Sequence, residues 1–209
     1  MILMLKFECL QCGSCCKHVD QDFSEHRYIP IFYDEISSLF QLAENLNVQI
    51  EIQPDLMYPD KLNQILLITS YVLQFKENCG FYRENEGCLI YKNRPLTCQS
   101  FPIAIWREDA NRTMLKVETS CIFVKNNIDL TLNKDFKQLK SFFPNEYEIA
   151  EKILMKGKEI LFKIVRLEKE EKINLGYLDG TINLFYDLNQ AIKDHPNWER
   201  IDINLIEID

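Results

Sequence analysis

The feature that most constrains this chain is a run of eight residues that contains four cysteines, Cys9-Leu10-Gln11-Cys12-Gly13-Ser14-Cys15-Cys16. A Cys-x2-Cys step lets a tight turn aim two thiolates at one metal ion, and glycine lets the backbone wrap closely around it. Two such steps follow one another here, so the run predicts a metal centre. We expect the adjacent Cys15 and Cys16 to serve different metals, or one of them to bridge, because a ring closed through one peptide bond is strained.

The other four cysteines come from the middle of the chain, and none follows Cys121. Eight thiols make two sets of four, the number that a tetrahedral zinc site or an iron–sulfur cluster takes. We therefore predict that all eight converge in space as metal ligands: Cys9, Cys12, Cys15, Cys16, Cys79, Cys88, Cys98 and Cys121. His18 is a further candidate because imidazole suits zinc and iron alike.

The segment around Cys98 carries features that would position and stabilise a thiolate. Pro95 suits the first position of a helical turn, whose N–H groups would point toward Cys98. Pro102 should end that turn. Four thiolates around a divalent ion leave a net charge of about −2, which the guanidinium of Arg94 is placed to offset.

Two other interpretations of the cysteines are buried free thiols and disulfides. The apolar start of the chain is too short for a secretory signal, and no apolar run is long enough to span a bilayer. We therefore expect a cytoplasmic protein that is not inserted in a membrane. In a reducing compartment, clustered thiols are more often metal ligands or catalytic groups than disulfides.

Charge and motifs exclude several classes of function. The chain has 24 basic and 32 acidic residues, a net charge of −8, which is the wrong sign for binding nucleic acid through its phosphates. We find no glycine-rich phosphate loop, Ser-His-Asp set or paired-carboxylate signature, so we assign no catalytic residue. The predicted partners are metal ions, and the sequence does not identify a protein partner.

The apolar patterns predict an α+β fold, with short antiparallel hairpins and a helix around a cysteine-rich metal centre and a mainly helical C-terminal part. The helix should start with Asp34 as its N-cap. Strands are expected at residues 3–8, 65–75, 89–91, 103–106 and 114–117. Later elements are helices at 146–169, with Ile149, Ile153, Ile160 and Ile164 buried, and at 182–193, then a strand at 201–205. We divide the chain into a metal-binding domain, 1–128, and a mainly helical segment packed on it, 129–209, with one single domain as the alternative.

Several linked motifs resemble one known family. They are the Cys-x2-Cys-Gly-x-Cys-Cys run, Cys88-x-Ile90-Tyr91, Arg94-Pro95, and Cys98 followed by Phe101-Pro102. Over roughly residues 7 to 121 the chain is similar to the CxxCxxCC family, also known as YkgJ-like cysteine cluster proteins. The sequence departs from the family pattern at Gln99, where Arg is usual, and at Gly80, where Pro is common.

The resemblance implies a zinc- or iron-chelating domain and leaves two functions open. One is a metal-binding protein holding zinc or iron, including an iron–sulfur cluster. The other is an iron–sulfur-dependent enzyme acting on a protein substrate, since the family is distantly similar to the cysteine cluster of flagellin lysine methylases. A third interpretation, a dithiol oxidoreductase, would need one exposed low-pKa thiol and a resolving partner.

Overall fold

The structure is a computed structural model that describes residues 6–17, 27–107, 113–131, 134–176 and 192–207. Its strands are β1 (Arg27–Ile31), β2 (Glu51–Pro54), β3 (Met57–Asp60), β4 (Ile65–Ile68), β5 (Tyr71–Phe75), β6 (Tyr82–Arg83), β7 (Gly87–Cys88), β8 (Ile103–Arg107), β9 (Thr113–Val117) and β10 (Glu199–Asp202). Its α-helices are α1 (Tyr33–Leu46), α2 (Leu96–Ser100), α3 (Ile122–Asn126), α4 (Ile128–Thr131), α5 (Phe136–Phe142) and α6 (Pro144–Lys169). Short 3-10 helices cover Tyr91–Asn93 and Ile203–Leu205. The predicted α+β class is confirmed.

A three-stranded antiparallel sheet, in the order β1-β5-β2, carries α1 on one face. Ile29 of β1 is the register partner of Leu73 of β5, and both side chains are buried. The apolar side of α1 adds Leu39 and Ala43 to the same core. Cys16 and Cys79 belong to this core as well, so the first sheet reaches directly to the cysteines.

A second sheet, in the order β10-β4-β3, joins the C-terminal strand to the hairpin formed by β3 and β4. Its central strand β4 pairs with β3 antiparallel and with β10 parallel. The single strand predicted over 65–75 is therefore wrong, because β4 and β5 belong to different sheets. The chain turns between them where Thr69 N donates to Leu56 O at 2.9 Å and Ser70 O accepts from Asp55 N at 2.9 Å.

Of the short strands predicted from the sequence, one pair is confirmed and one strand is not found. The predicted strands 103–106 and 114–117 are confirmed as the antiparallel pair β8 and β9. The strand predicted over 89–91 is wrong, since β7 ends at Cys88 and a 3-10 turn begins at Tyr91. The chain turns inward there because Ile90 is buried and Asn93 N donates to its carbonyl at 2.7 Å.

Helix α1 begins one residue before the predicted N-cap, so the assignment of Asp34 as that cap is wrong. Phe32 N donates to a carboxylate oxygen of Glu35 at 2.8 Å, so Glu35 caps the helix from inside its first turn. Asp34 instead forms an ion pair with Lys156 of α6.

The long C-terminal helix is confirmed as α6, which begins with Pro144 at its first position. Of the predicted apolar stripe, Ile164 is buried, whereas Ile149, Ile153 and Ile160 are only half-buried. The most buried apolar side chains lie on a neighbouring line of the helix and include Ala150 and Leu167. The buried face is therefore rotated, because α6 packs against α2 and β8 near its start and against β4 near its end.

The remaining predicted elements lie near the chain ends. Within the described part of the predicted strand 3–8, residues 6–8 form no strand, because Phe7 N donates to Phe142 O and the Phe7 ring packs against Phe123, with centroids 5.1 Å apart. The final strand ends at Asp202 rather than at 205. The helix predicted over 182–193 lies mostly outside the described residues. Among the described helices, none combines the length and the apolar character that crossing a bilayer requires.

Candidate metal centre

All eight cysteines line one cavity of about 50 Å³. Each is a free thiol, and no disulfide joins any of the eight. They come from five places in the fold: the loop 9–16, the turn after β5, the β6–β7 hairpin, α2 and the start of α3. The eight thiols therefore share one cavity, as predicted, whereas their arrangement around a common ion and their role as metal ligands stay predictions.

Two glycines allow the loop 9–16, which we call the cysteine loop, to approach the β6–β7 hairpin closely. Gly13 has φ +80°, and a Cβ on it would overlap the ring of Tyr82. Gly87 has φ +79°, and a Cβ there would meet Gln11 Cβ at 2.9 Å. Both positions therefore require glycine for conformation and for space. The close approach brings the loop against the hairpin that carries Cys88.

The backbone fixes Cys16 beside Cys79. Cys16 N donates to Gly13 O at 2.8 Å, which closes the turn, and Cys79 N donates to Cys16 O at 2.8 Å. The sulfurs of Cys15 and Cys16 lie 3.7 Å apart. Two thiolates on one tetrahedral ion with Zn–S bonds of 2.3 Å would be about 3.8 Å apart. The observed separation therefore also fits two ligands of the same ion.

Cys98 is held by the Arg94 side chain. Arg94 donates through Nε to Tyr91 O at 3.0 Å and through Nη1 to Cys98 O at 3.1 Å. Its guanidinium lies 4.1 Å from the centroid of the Tyr91 ring. Pro95 is the residue before α2 rather than its first residue, so the predicted turn is displaced by one position. The Gln99 amide donates to Arg94 O, which closes the start of the same turn.

Glu35 is a residue that the sequence did not single out. One of its carboxylate oxygens accepts from Phe32 N, and the other accepts from Leu96 N at 2.8 Å, so it binds the N-termini of α1 and α2 together. Thr97 adds a hydrogen bond from its hydroxyl to Pro30 O at 2.7 Å. An acidic residue in the first turn of a helix is a detectable capping signal, but its second partner is 61 residues away in sequence.

Backbone N–H groups face the sulfurs of three cysteines, each from a residue two or three positions later. They belong to Phe81 for Cys79, to Ile90 for Cys88, and to Val124 and Phe123 for Cys121. Each of these contacts lowers the pKa of its thiol, against the larger effect of burial, which raises it. An N–H directed at sulfur stabilises the thiolate, the form that binds metals.

Burial and mutual repulsion otherwise keep Cys16, Cys79 and Cys98 protonated in the absence of a cation. The pKa of Cys16 is raised by its hydrogen bond to Cys15, by burial and by the charges of nearby cysteines. Burial raises the pKa of Cys79 to about 11. Burial raises the pKa of Cys98 well above its usual value, while the Arg94 charge lowers it. A bound metal cation would reverse the balance, because it neutralises the like charges that oppose ionisation.

The cysteines differ in access to solvent. Cys12 is exposed, and its sulfur lies 2.8 Å from Ser14 Oγ, whereas Cys16, Cys79 and Cys121 are buried. Within the ranges that the structure describes, no three His, Cys, Asp or Glu side chains are arranged so that they could bind one ion. His18 lies outside the described residues.

A family model covers the part of the chain that builds this cavity. The CxxCxxCC model, described as "Putative zinc- or iron-chelating domain", matches residues 8–122, more than half of the 209 residues. The chain belongs to the CxxCxxCC family. The resemblance seen in the motifs is thereby confirmed. No curated protein and no solved structure shows significant similarity to the chain.

The two departures from the CxxCxxCC pattern have local explanations. A Cβ on Gly80 would overlap the carbonyl oxygen of Gln49, so glycine lets the segment after α1 approach the turn that carries Cys79. The Gln99 amide binds the Arg94 carbonyl, so this position supports the turn beside Cys98. Both residues thus help to position a neighbouring cysteine, Gly80 at Cys79 and Gln99 at Cys98.

Proposed function

We propose that this CxxCxxCC protein chelates zinc or iron through its eight cysteines. The observation that carries the proposal is that thiols from five separate parts of the fold line one cavity. Buried free thiols have no need to converge for packing alone, since each could contact any apolar neighbour. The match to a zinc- or iron-chelating family supports the same conclusion.

The surroundings of the cavity suit a thiophilic cation. Thiolates are the ligands of tetrahedral zinc and of iron–sulfur clusters, and N–H groups directed at sulfur stabilise both. Three cysteines have such N–H groups, and Arg94 supplies a positive charge that offsets the surplus of thiolates. The eight thiols share one cavity, but no three of the described side chains surround one point, so we expect binding to require rotation of cysteine side chains about their Cα–Cβ bonds.

The role that follows is support of the fold around the cysteines. The elements that carry them are short: β6 and β7 have two residues each, and α2 and α3 have five. Isolated elements of this length are unstable in water. A metal, when bound, supplies cross-links between them. Because free thiolates are required, we propose that the protein works in a reducing compartment, the cytoplasm.

Elemental analysis of anaerobically purified protein tests the proposal. We expect at least about one zinc or iron per chain, and fewer thiols reacting with a thiol reagent before addition of a chelator than after it. Colourless protein containing zinc would identify zinc sites. A broad visible absorption band with iron and sulfide would identify a cluster and would favour the enzyme alternative.

A matched pair of variants provides the control. Cys79→Ser removes a buried thiol from the cavity, while Glu8→Ser changes an exposed residue of the same loop that carries Cys9. Cys79→Ser should lower the metal content and Glu8→Ser should not. Wild-type protein that holds neither zinc nor iron after reconstitution, with all eight thiols reactive, would contradict the proposal.

A further inference from the structure

The helix that carries Cys98 is too short to hold its own position. Helix α2 has five residues, and the first N–H groups of a helix have no acceptor within it. The place of the Cys98 side chain in the cavity therefore depends on contacts between α2 and the rest of the protein. A residue that makes such a contact can help to build the cysteine centre without touching a metal.

Two hydrogen bonds connect α2 to the junction between β1 and α1. Leu96 N, at the first position of α2, donates to Glu35 Oε1 at 2.8 Å. The Thr97 hydroxyl donates to Pro30 O at 2.7 Å. Leu96 and Thr97 are the two residues directly before Cys98. The junction therefore holds the chain immediately on the N-terminal side of this thiol.

Glu35 is itself fixed by the start of its own helix. Its second carboxylate oxygen accepts from Phe32 N at 2.8 Å, and Glu35 N donates to Phe32 O at 3.0 Å. Hydrogen bonds to an ionised acceptor are roughly twice as strong as those between neutral groups. Helix α1 packs on the first sheet through Leu39 and Ala43, so Glu35 fixes the start of α2 relative to that core.

We propose that Glu35 is a positioning residue of the cysteine centre, which determines where Cys98 lies and thereby the affinity for metal. This inference rests on the proposed metal binding and adds to it a residue that is not a ligand. Residues that orient a metal ligand from outside typically change metal affinity by roughly 10- to 100-fold. Because the contact acts through α2, its loss should affect Cys98 more than any other cysteine, whereas a general loss of stability would affect all eight.

The test uses Zn²⁺ alone, loaded anaerobically into the reduced protein, with alkylation of each cysteine followed by mass spectrometry. Glu35→Gln keeps the size of the side chain but replaces one acceptor oxygen with an NH2 group, which cannot accept from a backbone N–H. It should weaken Zn²⁺ binding by about tenfold in competition with a chelator. In the Zn²⁺-loaded variant, alkylation should accelerate most at Cys98, because a thiolate that is released from the metal is the reactive form.

Asp135→Asn is the matched control. The Asp135 carboxylate caps α5 by accepting from Gln138 N at 2.8 Å, and α5 carries no cysteine. The same change from acid to amide should therefore leave both the Zn²⁺ affinity and the alkylation of Cys98 as in wild type.

Thr97→Val provides a second variant, which removes the hydrogen bond to Pro30 O. It should also accelerate alkylation most at Cys98, but by a smaller factor than Glu35→Gln, because the lost bond joins two neutral groups. This variant decides the question if Glu35→Gln does not fold.

The outcomes separate this inference from the proposed function. A folded Glu35→Gln with the Zn²⁺ affinity of wild type, or with alkylation accelerated equally at all eight cysteines, would overturn the positioning role alone. Unchanged alkylation of Cys98 in Thr97→Val, when Glu35→Gln does not fold, would do the same. Wild type that holds no zinc and no iron would overturn the proposed function as well.

Discussion

Two regions of this protein are held together in different ways. Around the cysteines the elements are short, and the groups that meet in the middle are thiols. At the far end of α6, the core is apolar: Leu167, Leu67 of β4 and Ile203 are fully buried against one another. From this contrast we expect a bound metal to contribute much of the stability of the first region, whereas the second is stabilised by its own side chains.

The energies behind this contrast have different sources. Full burial of one leucine or isoleucine stabilises a fold by roughly 1.5 to 3 kcal/mol, so the α6 core gains from each of its side chains. The pKa of Cys16 is raised by its hydrogen bond to Cys15, by burial and by the charges of neighbouring cysteines, so ionising these thiols side by side costs free energy. A structural metal can contribute on the order of 10 kcal/mol, comparable to the stability of a whole domain.

The largest effect is expected from Cys98→Ser. Loss of the Cys98 thiol should lower the metal content and reduce the free energy of unfolding by on the order of 5 kcal/mol, because a ligand and its cross-link disappear together. Elemental analysis and thermal melting measure the two quantities. A variant with full metal content and an unchanged Tm would remove Cys98 from the ligands, and with it the positioning role of Arg94.

Leu167→Ala should lower the stability of the protein without changing its metal content. Truncating this fully buried side chain should lower the free energy of unfolding by about 3 kcal/mol, through lost burial and the cavity left behind. The metal content should not change, because Leu167 packs in the core that lies away from the cysteines. Denaturant unfolding and elemental analysis provide the comparison. Metal loss in a folded Leu167→Ala protein would show that the two regions are not independent.

The pH dependence of stability should change sign on metal removal. In the metal-free fold the pKa of Cys79 is about 11, above its ordinary value of 9.0. Its contribution is therefore complete below pH 9 and lost between pH 9 and 11, by about 2 to 3 kcal/mol. Metal-loaded protein should instead lose stability as pH falls, since protons displace the metal. Parallel pH profiles of unfolding would contradict this.

Arg94→Gln should weaken metal binding by about tenfold, or 1.4 kcal/mol, because the Cys98 carbonyl loses its guanidinium partner and the thiolates lose a positive charge. Arg83→Gln is the matched control, since Arg83 is exposed on the neighbouring hairpin and pairs only weakly with Glu86 at 3.9 Å. Competition with a chelator of known affinity measures the change. Equal effects of both variants would contradict a specific role for Arg94.

The smallest expected effect is a gain in stability from Gly157→Ala. Gly157 lies in α6, and a Cβ there would meet no atom within 4 Å, so Gly157→Ala should stabilise the protein by up to about 1 kcal/mol. Gly13→Ala should have the opposite sign, because its φ of +80° and the Tyr82 ring both oppose a side chain. Denaturant titrations determine both signs, and a stabilising Gly13→Ala would contradict the close approach at the cysteine loop.

Features with a strong local or chemical signal were the ones that the sequence predicted. The helix α6 and the β8–β9 hairpin carry strong local periodicity, so they were predicted almost to the residue. The convergence of the cysteines followed from their chemistry, since thiol ligands of one metal centre must meet wherever they stand in the chain. Periodicity can be detected within a short stretch of sequence, and metal-binding chemistry can be recognised from a single residue type, cysteine.

The features that the sequence missed depend on partners distant in the chain. The parallel pairing of β10 with β4 joins Ile201 to Leu67, and nothing in either strand identifies the other. Glu35 connects α1 to α2 through Leu96 N, which a capping pattern alone does not show. The break at Thr69 between β4 and β5 arises because the chain changes sheets there.

Hydrogen exchange of individual amides, with and without metal, tests the central claim most directly. The amide of Cys16 donates to Gly13 O and that of Cys79 donates to Cys16 O, and both should lose protection by orders of magnitude when the metal is removed. Amides of α6 near Leu167 should change little, because their core needs no ligand. Equal loss of protection in both regions, or none in either, would contradict the account.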